Sequence, residues 1–178
     1  HRARNHCTRM RMNIRHEHPE DLGAIYQVNA EAFGRDAEAQ LVARLRTGGK
    51  AVLSLVAVVD RAIIGHLLFS PVTIAGASVR ALGLAPLAVL PERQRSGVGT
   101  QLTRQGLAMC RDQGWDVVVV LGHREYYPRF GFAPAHRFGL RCEYDAPAES
   151  FMALEVRPGA LGPSVDRLVR YAPEFGDL

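Results

Sequence analysis

The sequence is poor in cysteine and contains no hydrophobic run long enough to cross a membrane. Its three cysteines, Cys7, Cys110 and Cys142, are far apart and lack CxxC spacing, so neither a disulfide framework nor a zinc centre is predicted. The longest apolar runs, AVLSLVAVV and VVVVL, fall short of the ~18–20 residues that a membrane span needs and are typical of buried strands. We therefore expect a cytoplasmic protein in a reducing compartment, with no metal and no membrane partner.

Lysine is almost absent, since Lys50 is the only one among 22 basic residues, and 18 acidic residues leave a net charge of +4. Several arginines lie in the first segment, HRARNHCTRMR, which has no apolar part of the kind found in a secretory signal. No aromatic residues alternate with these arginines, so nucleic-acid binding is disfavoured. We assign residues 1–11 to a disordered tail or cloning remnant and expect a single domain over residues 12–178.

A strand and two helices are predicted first. MNIRH (12–16) is typical of a strand, and Pro19 opens a helix that Gly34 ends. Apolar residues at helical spacing predict the buried face of this helix: Leu22, Ile25, Tyr26 and Phe33. Asp36 can cap a second helix, which ends at Gly48 and Gly49.

Three strands in a meander are predicted next. AVLSLVAVVD and AIIGHLLFSPV flank an Asp60–Arg61 turn as a hairpin, and a third run extends from Val79 to Leu90. Proline cannot donate a hydrogen bond to a neighbouring strand, so Pro86 inside this third run indicates a bulge or an unpaired edge.

A glycine loop and a helix follow the meander. PERQRSGVGTQL (91–102) places closely spaced glycines directly before an amphipathic helix, an arrangement that suits an anion such as a phosphate. That helix is expected to end at Gly114. DVVVVL then predicts a central strand, REYYPRF a short helix, and FGF and FMALEV the closing strands, with a poorly defined Pro/Gly-rich C-terminus.

Two motifs in this order resemble the GNAT (GCN5-related) N-acetyltransferase family. LAVLPERQRSGVGT (87–100) resembles the family's Gln/Arg-x-x-Gly-x-Gly/Ala segment at Gln94, Gly97 and Gly99. YYPRFGF (126–132) resembles its Tyr-x-x-x-Gly-Phe segment at Tyr127, Gly131 and Phe132. The resemblance extends over roughly Met12 to Val156.

The resemblance implies an α/β (α+β) fold, with a mixed, mostly antiparallel sheet whose splayed strand pair holds acetyl-CoA as cosubstrate. It assigns the coenzyme to the bulged strand and the glycine loop: Leu87, Ala88, Val89, Gln94, Arg95, Ser96, Gly97, Val98, Gly99 and Thr100. Amides at a helix N-terminus suit a pyrophosphate, and an N–H of Leu87 or Val89 can stabilise the oxyanion. A Rossmann site is disfavoured, because residue 102 is Leu where GxGxxG requires glycine.

Tyr127 is the expected catalytic residue. The resemblance makes it a general acid, and a phenol with a pKa near ~10 stays protonated at neutral pH and can donate to the departing thiolate. Tyr126 is then packing or a wall of the substrate site. A general base is harder to assign, because the run from Val79 to Leu90 contains no Asp or Glu.

Five other residues are candidates for taking the amine proton: Glu31, Glu143, Glu155, His66 and His123. A histidine on an apolar strand is more often a core residue with satisfied hydrogen bonds, which disfavours His66, whereas His123 can equally contact phosphate or cap a helix.

The sequence therefore predicts a GNAT-type acyltransferase that moves an acetyl group from acetyl-CoA to an amine by direct attack on the thioester. Its partner is a small-molecule or peptide amine of unknown identity. The oligomeric state is open, with a homodimer as one alternative. A non-catalytic domain that binds coenzyme A or senses it is the alternative function.

Overall fold

The computed structural model describes residues 11–177, in which nine strands form a mixed, mostly antiparallel sheet flanked by three α-helices. The predicted tail and Cys7 lie outside these residues, apart from Arg11. The helices are α1 (Leu22–Phe33), α2 (Ala37–Thr47) and α3 (Val98–Asp112). The strands are β1 (Asn13–His16), β2 (Leu53–Val59), β3 (Ala62–Ile74), β4 (Ala81–Val89), β5 (Val117–Leu121), β6 (Ala133–Pro134), β7 (Leu140–Cys142), β8 (Phe151–Glu155) and β9 (Arg167–Arg170).

The strands follow the order β1-β2-β3-β4-β5-β8-β6, and β9 pairs with the end of β3 and with β7. β4 and β5 are parallel neighbours, as are β7 and β9, and the other pairs are antiparallel. Within residues 11–177, no helix is both long and apolar enough to cross a membrane.

Two hydrophobic cores lie on opposite faces of the sheet. α1 and α2 pack on one face through residues such as Ile25 and Leu45, and we call this the α1 face. α3 packs on the other through Val98, Leu102 and Cys110, and we call this the α3 face. A Cβ on Gly106 would lie 2.7 Å from the ring of Phe69, so this glycine lets α3 approach the sheet closely.

The N-terminal elements follow the prediction with two corrections. The β2–β3 hairpin turns at Asp60 and Arg61, and both have positive φ. The apolar face of α1 was predicted too wide, because Leu22 and Phe33 are 38% and 42% exposed. Asp36 occupies the N-cap position of α2, but its side chain makes no capping hydrogen bond.

The C-terminal prediction was wrong in two places. FGF is not a strand: Phe130 ends a 3-10 turn, Gly131 is left-handed, and the strand is Ala133–Pro134. The segment expected to be poorly defined forms β9 and a final 3-10 helix, Pro173–Asp177. A Cβ on Gly139 would collide with the main chain of Val165, so this glycine permits β7 and the segment before β9 to meet.

Candidate active site

The candidate active site begins where β4 and β5 separate. The two strands pair only over Ala81–Gly83 and Val117–Val119, although β4 continues to Val89 and β5 to Leu121. We call the space beyond these rungs the gap. It is the splayed strand pair that the resemblance implied.

A bulge in β4 accompanies the separation. On the β3 side, Leu67 is opposite Leu87 whereas Phe69 is opposite Leu84, so Ala85 and Pro86 have only one residue across from them. The bulge inferred from Pro86 is therefore confirmed. It bends β4 without breaking its pairing with β3.

Alternation along β4 decides which main-chain groups face the gap. The Leu90 amide donates to the Ile64 carbonyl, and this register makes Ala88 the next residue bonded to β3, opposite His66. Leu87 and Val89 therefore direct their main-chain groups to the opposite side, towards the gap.

Ala88 was predicted to contact the coenzyme together with Leu87 and Val89, and its position in the structure departs from that prediction. Its main chain pairs with β3 and its side chain is fully buried, so it presents no group to the gap. Leu87 and Val89 remain, each with a partly exposed side chain.

The loop after β4 ends in a helix N-terminus with free amides. Gln94 Nε2 donates to the Val89 carbonyl at 3.0 Å, and the Ser96 hydroxyl donates to the Arg93 carbonyl. These two bonds fix the loop at the end of the gap. Arg95 is exposed and has a positive φ of 61°.

Gly97 and Gly99 have different roles in this loop. Gly97 has a φ of 90°, a left-handed conformation that favours glycine, with no atom near its Cβ position. A Cβ on Gly99 would point towards Leu87 and Val89, 3.6 and 3.7 Å from their side chains.

The first backbone bond of α3 is donated by Gln101 to the Gly97 carbonyl at 3.0 Å. Among residues 11–177, the amides of Val98, Gly99 and Thr100 have no backbone acceptor. These amides and the positive end of the helix dipole can bind a phosphate group.

Two tyrosines stand beside the loop. Tyr127 is the first residue of a short 3-10 helix, Tyr127–Phe130, and Tyr126 is its N-cap residue. Tyr127 is 7% exposed, and its ring packs on Gly122 so closely that a Cβ there would collide with it. Burial raises the pKa of the Tyr127 hydroxyl, with a smaller contribution from Tyr126, so the hydroxyl keeps its proton. Within residues 11–177 it has no hydrogen-bond partner.

Tyr126 has a structural partner instead. Its hydroxyl and Thr100 Oγ1 are 3.1 Å apart, and the guanidinium of Arg129 lies over its ring. Tyr126 thus ties the 3-10 helix to the first turn of α3. This contact fits the expectation that Tyr126 packs or forms a wall.

The candidate general bases are not brought together. Glu31 is exposed on α1, and the Glu155 carboxylate accepts the Leu161 amide beside the rung with Val117, far from the open end of the gap. Glu143 accepts the Tyr171 amide at 2.6 Å. His123 is exposed, and its carbonyl accepts the amides of Tyr126 and Tyr127 at the start of the 3-10 helix.

His66 is a buried histidine with both ring nitrogens bonded, as its position on an apolar strand predicted. Nδ1 is 3.1 Å from Asn29 Nδ2 and Nε2 is 2.8 Å from Ser54 Oγ. Asn29 can only donate through this nitrogen, so Nδ1 accepts and Nε2–H donates to Ser54. Burial lowers the pKa of His66 to about 4.

The chain of hydrogen bonds continues to the surface. The Glu17 amide donates to the Ser54 carbonyl at 3.0 Å, and the Glu17 carboxylate pairs with Arg46 at 2.9 Å. Despite the opposing effect of burial, Arg46 and the nearby Ser54 hydroxyl hold the pKa of Glu17 below its usual value. Sequence reasoning missed this chain, because four of its members come from four separate elements and Glu17 comes from the segment after β1.

An open strand pair, a helix N-terminus with free amides and a neutral buried tyrosine together form the arrangement that the resemblance implied for an acyltransferase. The comparisons with known proteins agree. A family model described as "Acetyltransferase (GNAT) domain" matches residues 13–135.

Curated relatives and solved structures cover most of the chain. The uncharacterized N-acetyltransferase YhbS of Escherichia coli K12 is 38% identical over 165 residues, 92% of this chain and 98% of that protein. The crystal structure of E. coli YhbS in complex with CoA has a TM-score of 0.89 at 36% identity, over 94% of this chain and 93% of that one. A GNAT acetyltransferase from Brucella melitensis in complex with acetyl-CoA has a TM-score of 0.76 at 38% identity, over 93% and 99%.

The chain belongs to the GNAT acetyltransferase family. The predicted fold class and the predicted enzyme class, an acyltransferase, are confirmed. The coenzyme complexes of the two solved relatives agree with the prediction of acetyl-CoA as cosubstrate. The individual roles assigned to Tyr127 and to the loop stay predictions.

Proposed function

We propose that this protein is an acetyl-CoA-dependent N-acetyltransferase in which an amine attacks the bound thioester directly. The observation that carries the proposal is the gap between β4 and β5, which opens beside a helix N-terminus with unbonded amides. A long, flexible thioester with a pyrophosphate at one end fits such a site. The exposed main chain of β4 can pair with its arm, and the amides at the start of α3, which follow directly along the chain, can bind the pyrophosphate.

The pyrophosphate would bind at the start of α3. The amides of Val98, Gly99 and Thr100 supply the donors, and Arg95 adds an exposed positive charge. Gly97 and Gly99 keep side chains away from this main chain. Gln94 and Ser96 act indirectly, since their side chains bond the loop itself.

The pantetheine arm would lie in the gap and pair with β4 as an added strand does. Leu87 and Val89 present their main chain to it. An amide of one of these residues would donate to the thioester carbonyl, where negative charge develops during attack. Ala88 takes no part, because its main chain is bonded to β3.

Tyr127 would protonate the departing thiolate. The thiolate needs a donor that is protonated at neutral pH and that it can reach. The Tyr127 hydroxyl keeps its proton, and it is not among the enclosed side-chain oxygens of the described residues. Its lack of a hydrogen-bond partner among the described residues leaves it free for this role.

Release of the coenzyme thiol with acetyl-CoA and a panel of amines tests the proposal. Amine-dependent release is the expected result, at a rate well above hydrolysis without amine. Tight binding of acetyl-CoA with no release for any amine would favour a coenzyme-binding or sensor domain instead.

We also infer one domain over residues 12–178 and a cytoplasmic location. The continuous order of the strands over the described part of the chain supports the single domain. Cys110 and Cys142 are free thiols, which is typical of a reducing compartment.

A further inference from the structure

A groove of about 310 Å³ lies on the α3 face between α3 and β8, and we call it the arginine groove. One side of it is a face of α3 beside the one that enters the core through Val98, Leu102 and Cys110. The residues of this face recur every three or four positions, so they share one side of the helix. They are Arg104, Leu107, Ala108 and Arg111.

The floor of the groove is apolar. Leu107 and Phe130 form it together with Leu154 in β8 and Val156 just after it, and all four are partly buried against the core of the α3 face. Cavities that hold small molecules usually measure about 300–1,000 Å³, so this one is at the lower end of that range. The groove can therefore shelter an aromatic ring or a short alkyl chain from water.

Three guanidinium groups line the same groove. Arg104 and Arg129 form no ion pair with a carboxylate among residues 11–177, and Arg111 is 3.8 Å from the exposed carboxylate of the next residue. Other arginines of the described chain, such as Arg46 and Arg157, have carboxylate partners at 2.9 and 2.8 Å. The positive charge of the groove is therefore poorly balanced by the protein itself.

One acidic residue, Glu155, is among those that line the groove, but its carboxylate is engaged elsewhere. Its Oε2 accepts the Leu161 amide at 3.0 Å, and Leu161 packs in the core of the α1 face. An apolar floor with an excess of positive charge is complementary to an organic anion with an apolar body. A stable protein interface buries about 800 Å² per partner, far more than a groove of this volume offers, which favours a small molecule.

The groove is separate from the proposed coenzyme site. Thr100, whose amide is proposed to bind the pyrophosphate, is four residues before Arg104 on α3. Arg111 is eleven residues after Thr100, which corresponds to about 16 Å of helix. The groove thus runs away from the glycine loop towards the C-terminal end of α3, and none of the coenzyme residues proposed above lines it.

The groove also borders the segment that carries Tyr127. The guanidinium of Arg104 lies over the Phe130 ring, 5.7 Å from its centroid, and the Phe130 ring is 6.3 Å from that of Tyr127. Arg129 Nε donates to the Tyr126 carbonyl at 2.8 Å. An anion bound between Arg104 and Arg129 would compete for two contacts that hold this segment in place.

We propose that the arginine groove is a second ligand site, which binds a small organic anion with an apolar body, such as an aryl or alkyl phosphate or carboxylate. The bound anion lowers turnover by drawing Arg129 away from the Tyr126 carbonyl. It is a ligand distinct from both the coenzyme and the amine. Its binding does not rest on the proposed function, whereas its effect on turnover does.

Calorimetry with phenyl phosphate in the presence of saturating coenzyme A tests the binding. The coenzyme occupies the amides at the start of α3, so these donors cannot bind the probe. We expect one phenyl phosphate per chain, bound at least ~10-fold more tightly than inorganic phosphate, which has only the charge, or phenol, which has only the ring. In the thiol-release assay at saturating acetyl-CoA and amine, phenyl phosphate should lower kcat at least ~2-fold.

Arg104→Gln removes one guanidinium from the groove and leaves the proposed catalytic and coenzyme residues in place. It should weaken phenyl phosphate binding at least ~10-fold and abolish the effect on kcat, with turnover without the probe within ~2-fold of the wild type. Arg137→Gln is the matched control. Arg137 is also exposed and has no carboxylate partner among residues 11–177, but it belongs to the 3-10 helix Ala135–Phe138 and does not line the groove. This variant should behave as the wild type does.

Each other outcome overturns the proposal. If saturating coenzyme A abolishes phenyl phosphate binding, the groove is not a separate site. Equal losses of affinity in Arg104→Gln and Arg137→Gln would place the probe elsewhere, and binding that leaves kcat unchanged would be adventitious binding only. A wild type that releases no thiol with any amine contradicts the proposed function and the effect on turnover with it, whereas calorimetry still decides whether the groove binds the anion.

Discussion

Replacing Tyr127 by phenylalanine removes the proton donor proposed for the thiolate and keeps the ring. The ring packs on Gly122 and makes edge contacts with Tyr126 and Phe132, centroids 5.1 and 5.7 Å away. All these contacts survive in the variant. The hydroxyl has no hydrogen-bond partner within the described residues, so the free energy of unfolding should change by less than about 1 kcal/mol.

The expected loss of turnover follows from the surroundings of the hydroxyl. General acid catalysis contributes ~10²–10⁴-fold, and a water molecule replaces the donor only where it can enter. Tyr127 is 7% exposed and its ring lies among the rings of Tyr126, Phe130 and Phe132, so only a small part of the residue is open to water. We expect a loss of at least ~10²-fold in kcat, about 2.7 kcal/mol in activation free energy.

Steady-state thiol release and calorimetry make the comparison. Tyr127→Phe should lose turnover at nearly unchanged acetyl-CoA affinity. Tyr126→Phe is the control: it deletes a hydroxyl one residue away, which bonds Thr100 at 3.1 Å, and should affect stability more than turnover. If Tyr127→Phe keeps near-normal turnover, or loses no more than Tyr126→Phe, another group protonates the thiolate and our assignment is wrong.

Two further predictions concern the loop and the buried histidine. Gly97→Val should weaken acetyl-CoA binding by at least about 2 kcal/mol in calorimetry. Gly76→Val is the control, because it places valine at a similarly positive φ of 74° in the β3–β4 turn, and it should leave the affinity unchanged. Equal losses of affinity in the two variants would show that the loop is not part of the site. Burial lowers the pKa of His66 to about 4, so the unfolded chain binds a proton at this histidine more readily than the folded protein does. The free energy of unfolding should therefore fall by about 3 kcal/mol as the pH drops from 6.5 to 4. In denaturant titrations, the free energy of unfolding of His66→Gln should lack this fall at low pH. If the variant shows the same pH dependence of stability as the wild type, the lowered pKa is wrongly assigned to His66.

Local signals in the sequence predicted much of the fold. Asp60–Arg61 between two apolar runs indicated the hairpin, and Pro86 indicated the bulge that opens the gap, because each acts through its own backbone geometry. The loop from Gln94 to Gly99 was also predicted from local sequence. Its proposed function depends on main-chain amides that the first turn of α3 leaves without acceptors, and such amides occur wherever a helix begins.

Features that depend on distant contacts were missed. β9 pairs with β3 across almost a hundred residues of chain, and a Pro/Gly-rich sequence gives no local sign of this pairing. The packing of Tyr171 on Gly83 was missed as well, because only that pairing brings the two residues together. The exposure of Leu22 and Phe33 was missed because helical spacing shows which residues share a face and not how much of that face is covered.

The bond between Asn29 and His66 likewise joins α1 to β3, and neither residue carries a motif. A buried Asn on the apolar side of an amphipathic helix was the one available signal. Polar residues in such positions usually find a partner in the core.

Mass spectrometry of both products after one reaction with acetyl-CoA and an accepted amine tests the central claim most directly. The account predicts one acetylated amine for each coenzyme thiol released, with the mass of the protein unchanged at every time point, because the amine attacks the thioester itself. An acetylated protein that forms and decays at the rate of turnover would contradict direct attack. Acetyl-CoA that binds tightly and is recovered intact with every amine would contradict catalysis altogether.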